Sequence, residues 1–423
     1  MTGRRYTERR PPRVGLYGLL GASNIGNDAS MEAILRYLQA DHPDAIVDAM
    51  CPGPDQVHRE YGIEASPLWG RTYERAPGVA AIALKMLGKG VEGLGIASWV
   101  RRHDVVIVPG MGVLEASLPM RPWETPYAMF MLCLSGRLFR TKVALVSVGA
   151  NAINQRLTRW MLNSAARFAF YRSYRDTGAR EAMRQRGLDV TRDHVYPDLV
   201  FGLPVPPHDS GDPQIVGVGV MAYYGGNDDR GHGADIYACY VRNMKILVRW
   251  LVDGGRSVRL LVGDRSDDSV VREVLDDIRA HRPDLSPGRV VAEPVFSFAD
   301  LARAMAPVGT VIATRYHNVM CGLKLSKPTI SIGYSTKNLA LMADTGLSEF
   351  CQDAKSIDVE LLIKQFTELQ ERSVQLKPPI AEFCEAQAAR LGQQFAELSA
   401  VLFPSAVAVP SAAENGPLAE GGR

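Results

Sequence analysis

TVIATRYHNVMCGLKLSKPTISIGYSTKN, Thr310 to Asn338, decides the reading of this chain. Residues 310–313 (TVIA) and 329–332 (TISI) are short apolar, β-branched runs separated by about one helix, which is the βαβ rhythm of a parallel sheet. In such sheets ligands sit beyond the carboxyl ends of the strands. Arg315, His317, Tyr334 and Lys337 all fall at that end, where a helix N-terminus also favours negative charge. Two fixed cations, an imidazole and a phenol therefore predict a pocket for an anionic substrate.

The rest of the 423-residue chain is long enough for two domains. A formal net charge of +2 leaves no electrostatic footprint for nucleic acid. The six cysteines are scattered without a C-x-x-C pair, so reduced thiols in a cytoplasmic protein are expected. MTGRRYTERRPP, residues 1–12, reads as a disordered basic tail rather than an export signal, because a glycine-bearing strand follows it instead of a cleavable apolar stretch. Residues 79–100 are largely apolar but interrupted by Lys85, Lys89, Glu92 and four glycines, which predicts a core or interfacial helix and leaves peripheral association with the inner face of a membrane open.

Residues 13–19 predict a first strand, then a glycine loop and a helix starting near Asp28, with Met31, Ile34, Leu35 and Leu38 as its core stripe. Further strands are expected at 45–50, 104–108 (DVVIV), 143–148 (VALVSV), 169–174 and 194–199, with helices between. GLPVPPHDSGDP, residues 202–213, has four prolines and no periodicity and marks a linker. A second α/β alternation follows, with strands at 215–220, 258–262, 289–291, 310–313 and 329–332. The expected organisation is a first domain at 13–201, a second at 214–350, C-terminal helices at 351–403 and a disordered tail at 404–423. The fold class is α/β: two doubly wound Rossmann-like domains facing across a cleft, the GT-B-like glycosyltransferase architecture.

The candidate chemistry lies in four places besides the opening stretch. The loop GLLGASNIGND brings Asn24, Gly26, Asn27 and Asp28 to a helix start, where backbone N–H groups can meet a ligand; the plainer reading is that Asp28 or Ser30 caps the helix. Gly110 and Gly112, in PGMG after DVVIV, and Gly149 after VALVSV sit at strand ends, where glycine also serves tight turning alone. Gly217-Val-Gly-Val-Met-Ala222 matches a dinucleotide fingerprint by letter, but its glycines fall inside the expected strand. Arg175 follows a strand and can face the cleft, whereas its neighbour Asp176 reads as a helix cap. Asp228, Asp229, His232 and Asp235 share a loop that reads as solvated, and no His or Cys spacing resembles a metal site.

These blocks resemble the polysaccharide pyruvyl transferases over most of the chain. The shared features are the N-x-G-D core of the glycine loop (here Asn24-Ile-Gly26-Asn27-Asp28), SYRDTGAREAMRQRGL with the later YPDLVFGL, and above all Arg315-Tyr-His317, Pro328, Tyr334 and Lys337. Asn27 stands where the family usually has Asp, and Pro109-Gly-Met-Gly replaces a more glycine-rich run. The resemblance implies transfer of the pyruvyl group of phosphoenolpyruvate onto two hydroxyls of a sugar as a ketal, with release of phosphate and no separate cofactor. It further implies a sugar or glycan acceptor, whether polymeric, lipid-linked or nucleotide-linked. In that reading Arg315, Lys337, Tyr334 and Arg175 hold substrate, His317 is the general acid and Asp28 the base. Two other readings share the architecture: a nucleotide-sugar glycosyltransferase, whose paired glutamates would be Glu360 and Glu368, and a two-lobed sugar-binding protein.

Overall fold

The computed structural model describes residues 10–22, 24–68, 79–116, 121–206, 211–226, 229 and 231–404. The expected tails at 1–9 and 405–423 lie outside these residues, as do Asp228 and the middle of the proline-rich linker. Among the described residues the strands form two sheets, parallel throughout. The first takes β1 (Arg13–Tyr17), β2 (Ile46–Cys51), β3 (Glu64–Pro67), β4 (Val105–Pro109), β5 (Lys142–Val148), β6 (Tyr171–Tyr174) and β7 (His194–Val195) in the order β3-β2-β1-β4-β5-β6-β7. Its helices are α1 (Ile25–Asp41), α2 (Pro54–Tyr61), α3 (Val79–Arg101), α4 (Thr125–Phe139), α5 (Arg156–Phe168) and α6 (Thr177–Gln185).

The second sheet takes β8 (Asp212–Gly219), β9 (Ser257–Leu261), β10 (Val290–Ala292), β11 (Val308–Ala313), β12 (Thr329–Gly333) and β13 (Cys351–Asp353) in the order β10-β9-β8-β11-β12-β13. It is covered by α7 (Gly233–Asp253), α8 (Asp268–His281), α9 (Phe298–Met305), α10 (Tyr316–Lys324) and α11 (Thr336–Asp344), followed by α12 (Val359–Glu371) and α13 (Ser373–Leu402). Every residue of β4 and of β11 is buried, as sheets covered by helices on both faces require. In each sheet the strand order reverses, between β1 and β4 and between β8 and β11. A crevice opens beyond the carboxyl ends at those points.

Several elements depart from the sequence reading, each for a local reason. Helix α1 begins at Ile25 rather than near Asp28, because Asn24 supplies the cap by accepting from the Asn27 N–H at 3.2 Å. The expected linker ends early: Asp212 already pairs with Val308, and Pro213 falls where the β8–β11 register shifts, so its missing N–H interrupts no regular pair. The strand expected at 194–199 stops at Val195, and Asp198 caps a short 3-10 turn, Leu199–Gly202. Cys351–Asp353, expected to open the C-terminal helices, is a strand paired with β12.

Helix α13 runs back across the first domain. Its Gln394 is fully buried between Ser147 and Ser173, accepting from Ser147 Oγ at 3.0 Å and donating to Ser173 Oγ at 2.8 Å. Ser147 itself adopts φ 49°, inside the stretch of β5 where the register to β6 shifts. Lys142 Nζ donates to the carbonyls of Val401 and Leu402, both at 2.9 Å, and so closes the negative end of the helix.

Candidate active site

The second domain brings its charges together at the carboxyl ends of β9, β11 and β12. Arg315 is the N-cap residue of α10 and Ser335 that of α11, and neither helix has a side-chain cap. Of the other helices, α1, α6, α9 and α12 are capped by Asn24, Asp176, Ser297 and Asp358, while α2, α4, α5, α7, α8 and α13 have no side-chain cap either; α10 and α11 differ from these in starting at the edge of the cavity. Uncapped first turns leave N–H donors for a ligand. The Arg315 fork, expected to hold substrate, is engaged from behind by Asp267: Nε–Oδ2 is 2.9 Å and Nη2–Oδ1 2.7 Å. Asp267 is fully buried and also accepts from the Ala222 N–H at 2.9 Å, so it fixes the guanidinium and leaves Nη1 to face an anion. Lys337, in the first turn of α11, lies 5.2 Å from the ring centroid of Tyr316 and 5.6 Å from that of Tyr334. Among the described residues no carboxylate lies within ion-pair distance of it.

His317 bridges the domains. Its ring rests on Gly26 of α1 so closely that a Cβ there would lie 1.9 Å from Nδ1 and Cε1. Glycine at 26 is thus a steric requirement set by the other domain. Nε2 stands 3.9 Å from Oδ2 of buried Asp198. Burial lowers the imidazole to about 4; Asp198 pulls it up, while Lys337, Arg175 and Arg315 push it further down. So lowered, the ring is neutral at physiological pH. Closure is held next to it by Ile25 N–H donating to Gly263 O at 3.2 Å and Asn24 Nδ2 to Asp264 Oδ2 at 3.3 Å.

The first domain contributes Asn24, Asn27, Met111, Gly112 and Arg175 to a cavity of about 80 Å³ shared with Gly263, Arg315, Tyr316, His317, Tyr334 and Lys337. Gly110 and Met111 form a left-handed pair, φ 56° and 57°, that turns the chain under this cavity; Gly110 itself packs on Ser30 and does not line it. Arg175 is buried and ion-paired with Glu115, with its guanidinium 5.7 Å from the Tyr316 ring centroid. Burial works against its charge, yet Glu115, Tyr316, Asp198 and Asp176 hold it above its ordinary range. Its Nε has no hydrogen-bond partner among the described residues. Asp28 is placed elsewhere: its carboxylate accepts from the Gly21 N–H at 2.6 Å and does not line the cavity. Burial, the larger effect, raises it to about 6 against that hydrogen bond.

Of the residues singled out in the sequence, Asn24, Asn27, Gly112, Arg175, Arg315, His317, Tyr334 and Lys337 converge, Gly26 seats His317, and Asp28 and Gly110 stand behind the wall. Asp198, Glu115, Asp267, Tyr316 and Asn318 were given no role. Only Asp198 had a signal, as the acidic residue of YPDL. Asn318 is fully buried, wedged between Gly219 and Gly263, with neither amide atom partnered among the described residues. The letter match Gly217–Ala222 has its glycines inside or at the end of β8, where they admit Leu261, Val308 and Asn318. Glu360 and Glu368 are exposed on α12, and Glu368 pairs with Arg372 at 2.8 Å. Larger depressions, of about 410 and 490 Å³, lie against α7–α8 and beside Arg10 and Phe403. In the first, Lys245 pairs with Glu273 and Arg249 with Asp277. Among the described residues no three His, Cys, Asp or Glu are arranged to hold a metal ion.

Two doubly wound domains closing on a cationic cavity define a protein of the GT-B architecture. Solved structures share that fold. A putative UDP-N-acetylglucosamine 2-epimerase from Listeria monocytogenes superposes with a TM-score of 0.59 at 13% identity, over 92% of this chain and 96% of that one. A UDP-GlcNAc 2-epimerase from Neisseria meningitidis bound to UDP-GlcNAc gives 0.55 at 11%, over 91% and 99%. Acinetobacter baumannii MurG gives 0.52 at 11%, over 92% and 100%. No curated protein matches the chain by sequence. The family model for polysaccharide pyruvyl transferase matches residues 24–336, and the chain belongs to that family.

Proposed function

We propose that this protein transfers the pyruvyl group of phosphoenolpyruvate to two hydroxyls of one sugar of a glycan or its lipid-linked precursor. The observation that carries the reading is the convergence of Arg175, Arg315 and Lys337 around His317 in a cavity of about 80 Å³, which suits a small, multiply charged anion. Family membership supports a glycan acceptor. Arg315, held by Asp267, and Lys337 at the uncapped turn of α11 take the carboxylate and phosphate. His317, charged once the anion is bound, gives its proton to the methylene carbon, which makes C2 electrophilic. A sugar hydroxyl adds to C2, phosphate leaves, and the second hydroxyl closes the ketal. The two hydroxyl protons end on the new methyl group and on phosphate, so His317 is returned to its starting state. Asp28, turned to Gly21, has no part in these steps. Asp198 steadies the imidazole from the opposite side.

The test is incubation of the full chain with phosphoenolpyruvate and a panel of galactosides, glucosides and N-acetylhexosaminides, followed by phosphate release and mass spectrometry. At least one acceptor should gain a pyruvyl ketal, with phosphate released in equal amount. Phosphate release without any ketal, or thermal stabilisation by uridine diphosphate and none by phosphoenolpyruvate, would sink the reading.

A further inference from the structure

We propose that the outer face of α3, α4 and α5 is a docking surface for a bilayer carrying anionic lipid. On α3, Leu87, Val91 and Leu94 fall at i, i+4 and i+7 and point outward, 68%, 48% and 73% exposed. Trp123 ahead of α4 and Leu157 and Trp160 in the first turns of α5 are half exposed or more, at 53%, 50% and 54%. Phe130 of α4 links this group through its ring, 5.2 Å from that of Trp160. An apolar face of this extent on three adjacent helices is unlike scattered surface hydrophobics.

Charge selects the occupant. Within the three helices the one carboxylate is Glu92, buried against Lys89, and one exposed carboxylate, Glu124, stands at the start of α4. Arg101, Arg102, Arg137, Arg140, Arg156 and Arg159 are all exposed on them or at their ends. The chain as a whole is near neutrality at +2, so the cationic excess is local to this face. Exposed leucine and tryptophan rimmed by arginine is the composition that settles at the headgroup level of an anionic membrane. Among the described residues no helix is long and apolar enough to cross one, so the face lies on the bilayer rather than in it. Helices α4 and α5 start from the carboxyl ends of β4 and β5, the edge that holds the cavity. Docking therefore turns the cleft toward the membrane plane, where a lipid-linked sugar is presented; that last step rests on the transferase reading, whereas docking itself does not.

The experiment is co-sedimentation of the full chain with vesicles of phosphatidylcholine, alone or with about one quarter phosphatidylglycerol, in about 0.1 M salt. Binding should be at least about tenfold stronger to the anionic vesicles. L87E/L94E and R156E/R159E should each lose about tenfold or more of it while keeping the thermal midpoint and the rate on a short soluble acceptor. If no acceptor turns over, the transferase reading fails and the vesicle result still stands. Equal binding to neutral and anionic vesicles, binding that both variants retain, or sedimentation equilibrium showing self-association that L87E/L94E abolishes would overturn the proposal.

Discussion

His317 is neutral in the free protein, at about 4 through burial and three neighbouring cations, yet the proposed reaction needs it charged. The anion itself supplies the difference. One negative charge about 5 Å from the ring, at an effective dielectric of about 20, is worth about 3 kcal/mol, or about two pKa units. A bound dianion therefore carries His317 to about 7 or 8. Phosphoenolpyruvate binding should then take up a proton. Below about pH 4 the ring is charged in both states; as pH rises from there to the bound-state value, affinity weakens by up to about tenfold per unit, and above it levels off. Isothermal titration calorimetry at about pH 6, in buffers of differing ionisation enthalpy, reads the proton count directly. The wild type should take up about one proton more than His317→Gln, a comparison in which the ligand's own phosphate titration cancels. Equal uptake by the two proteins would refute the idea that substrate loads the acid.

Gly26→Ala drives a methyl group into the His317 ring, where it would lie 1.9 Å from two ring atoms, so kcat/KM should fall about a hundredfold or more with a stability loss of about 1–3 kcal/mol in urea; wild-type kinetics would mean the ring is not held there. Asp28→Asn keeps an oxygen for the Gly21 N–H. Because burial raises Asp28 to about 6, its contribution is present below its unfolded value and lost as pH rises through about 6, so the variant should gain about 1–3 kcal/mol at about pH 8 and nothing near pH 4. A large loss of turnover would instead return Asp28 to the chemistry. Lys337→Met removes a cation with no carboxylate partner among the described residues, so KM for phosphoenolpyruvate should rise about ten- to a hundredfold while the urea midpoint hardly moves; an unchanged KM would take Lys337 out of the site.

Runs such as VVIVP and VGTVIA made both sheets legible, because strands buried on both faces must be apolar at every position. The edge strands β3 and β13 were not, since EASP and CQD are short and polar and owe their structure to pairing with a neighbour. At the site, helix starts after strands showed where Arg315, His317 and Lys337 would stand. What they would touch was hidden: Asp267 lies 48 positions before Arg315, at the end of a single 3-10 turn leading into α8. Gly26 stood out as a glycine, but its reason is a ring from the other domain. The place of Asp28 was hidden in a simpler way: Asn24 caps the helix, and the Asp28 carboxylate accepts from the Gly21 N–H instead of lining the cavity.

Gln394 carries a consequence for how the protein is made. The serines that receive it, Ser147 and Ser173, are translated more than two hundred residues earlier, on strands that the second domain's synthesis separates from their partner. Until α13 emerges, the two hydroxyl groups lack the amide that joins them, and the left-handed Ser147 is held by its own N–H donating to Ser173 Oγ at 2.8 Å. The order of translation and the order of consolidation therefore differ. Of the two domains, the one made earlier is the one that must wait for a helix synthesised after the other.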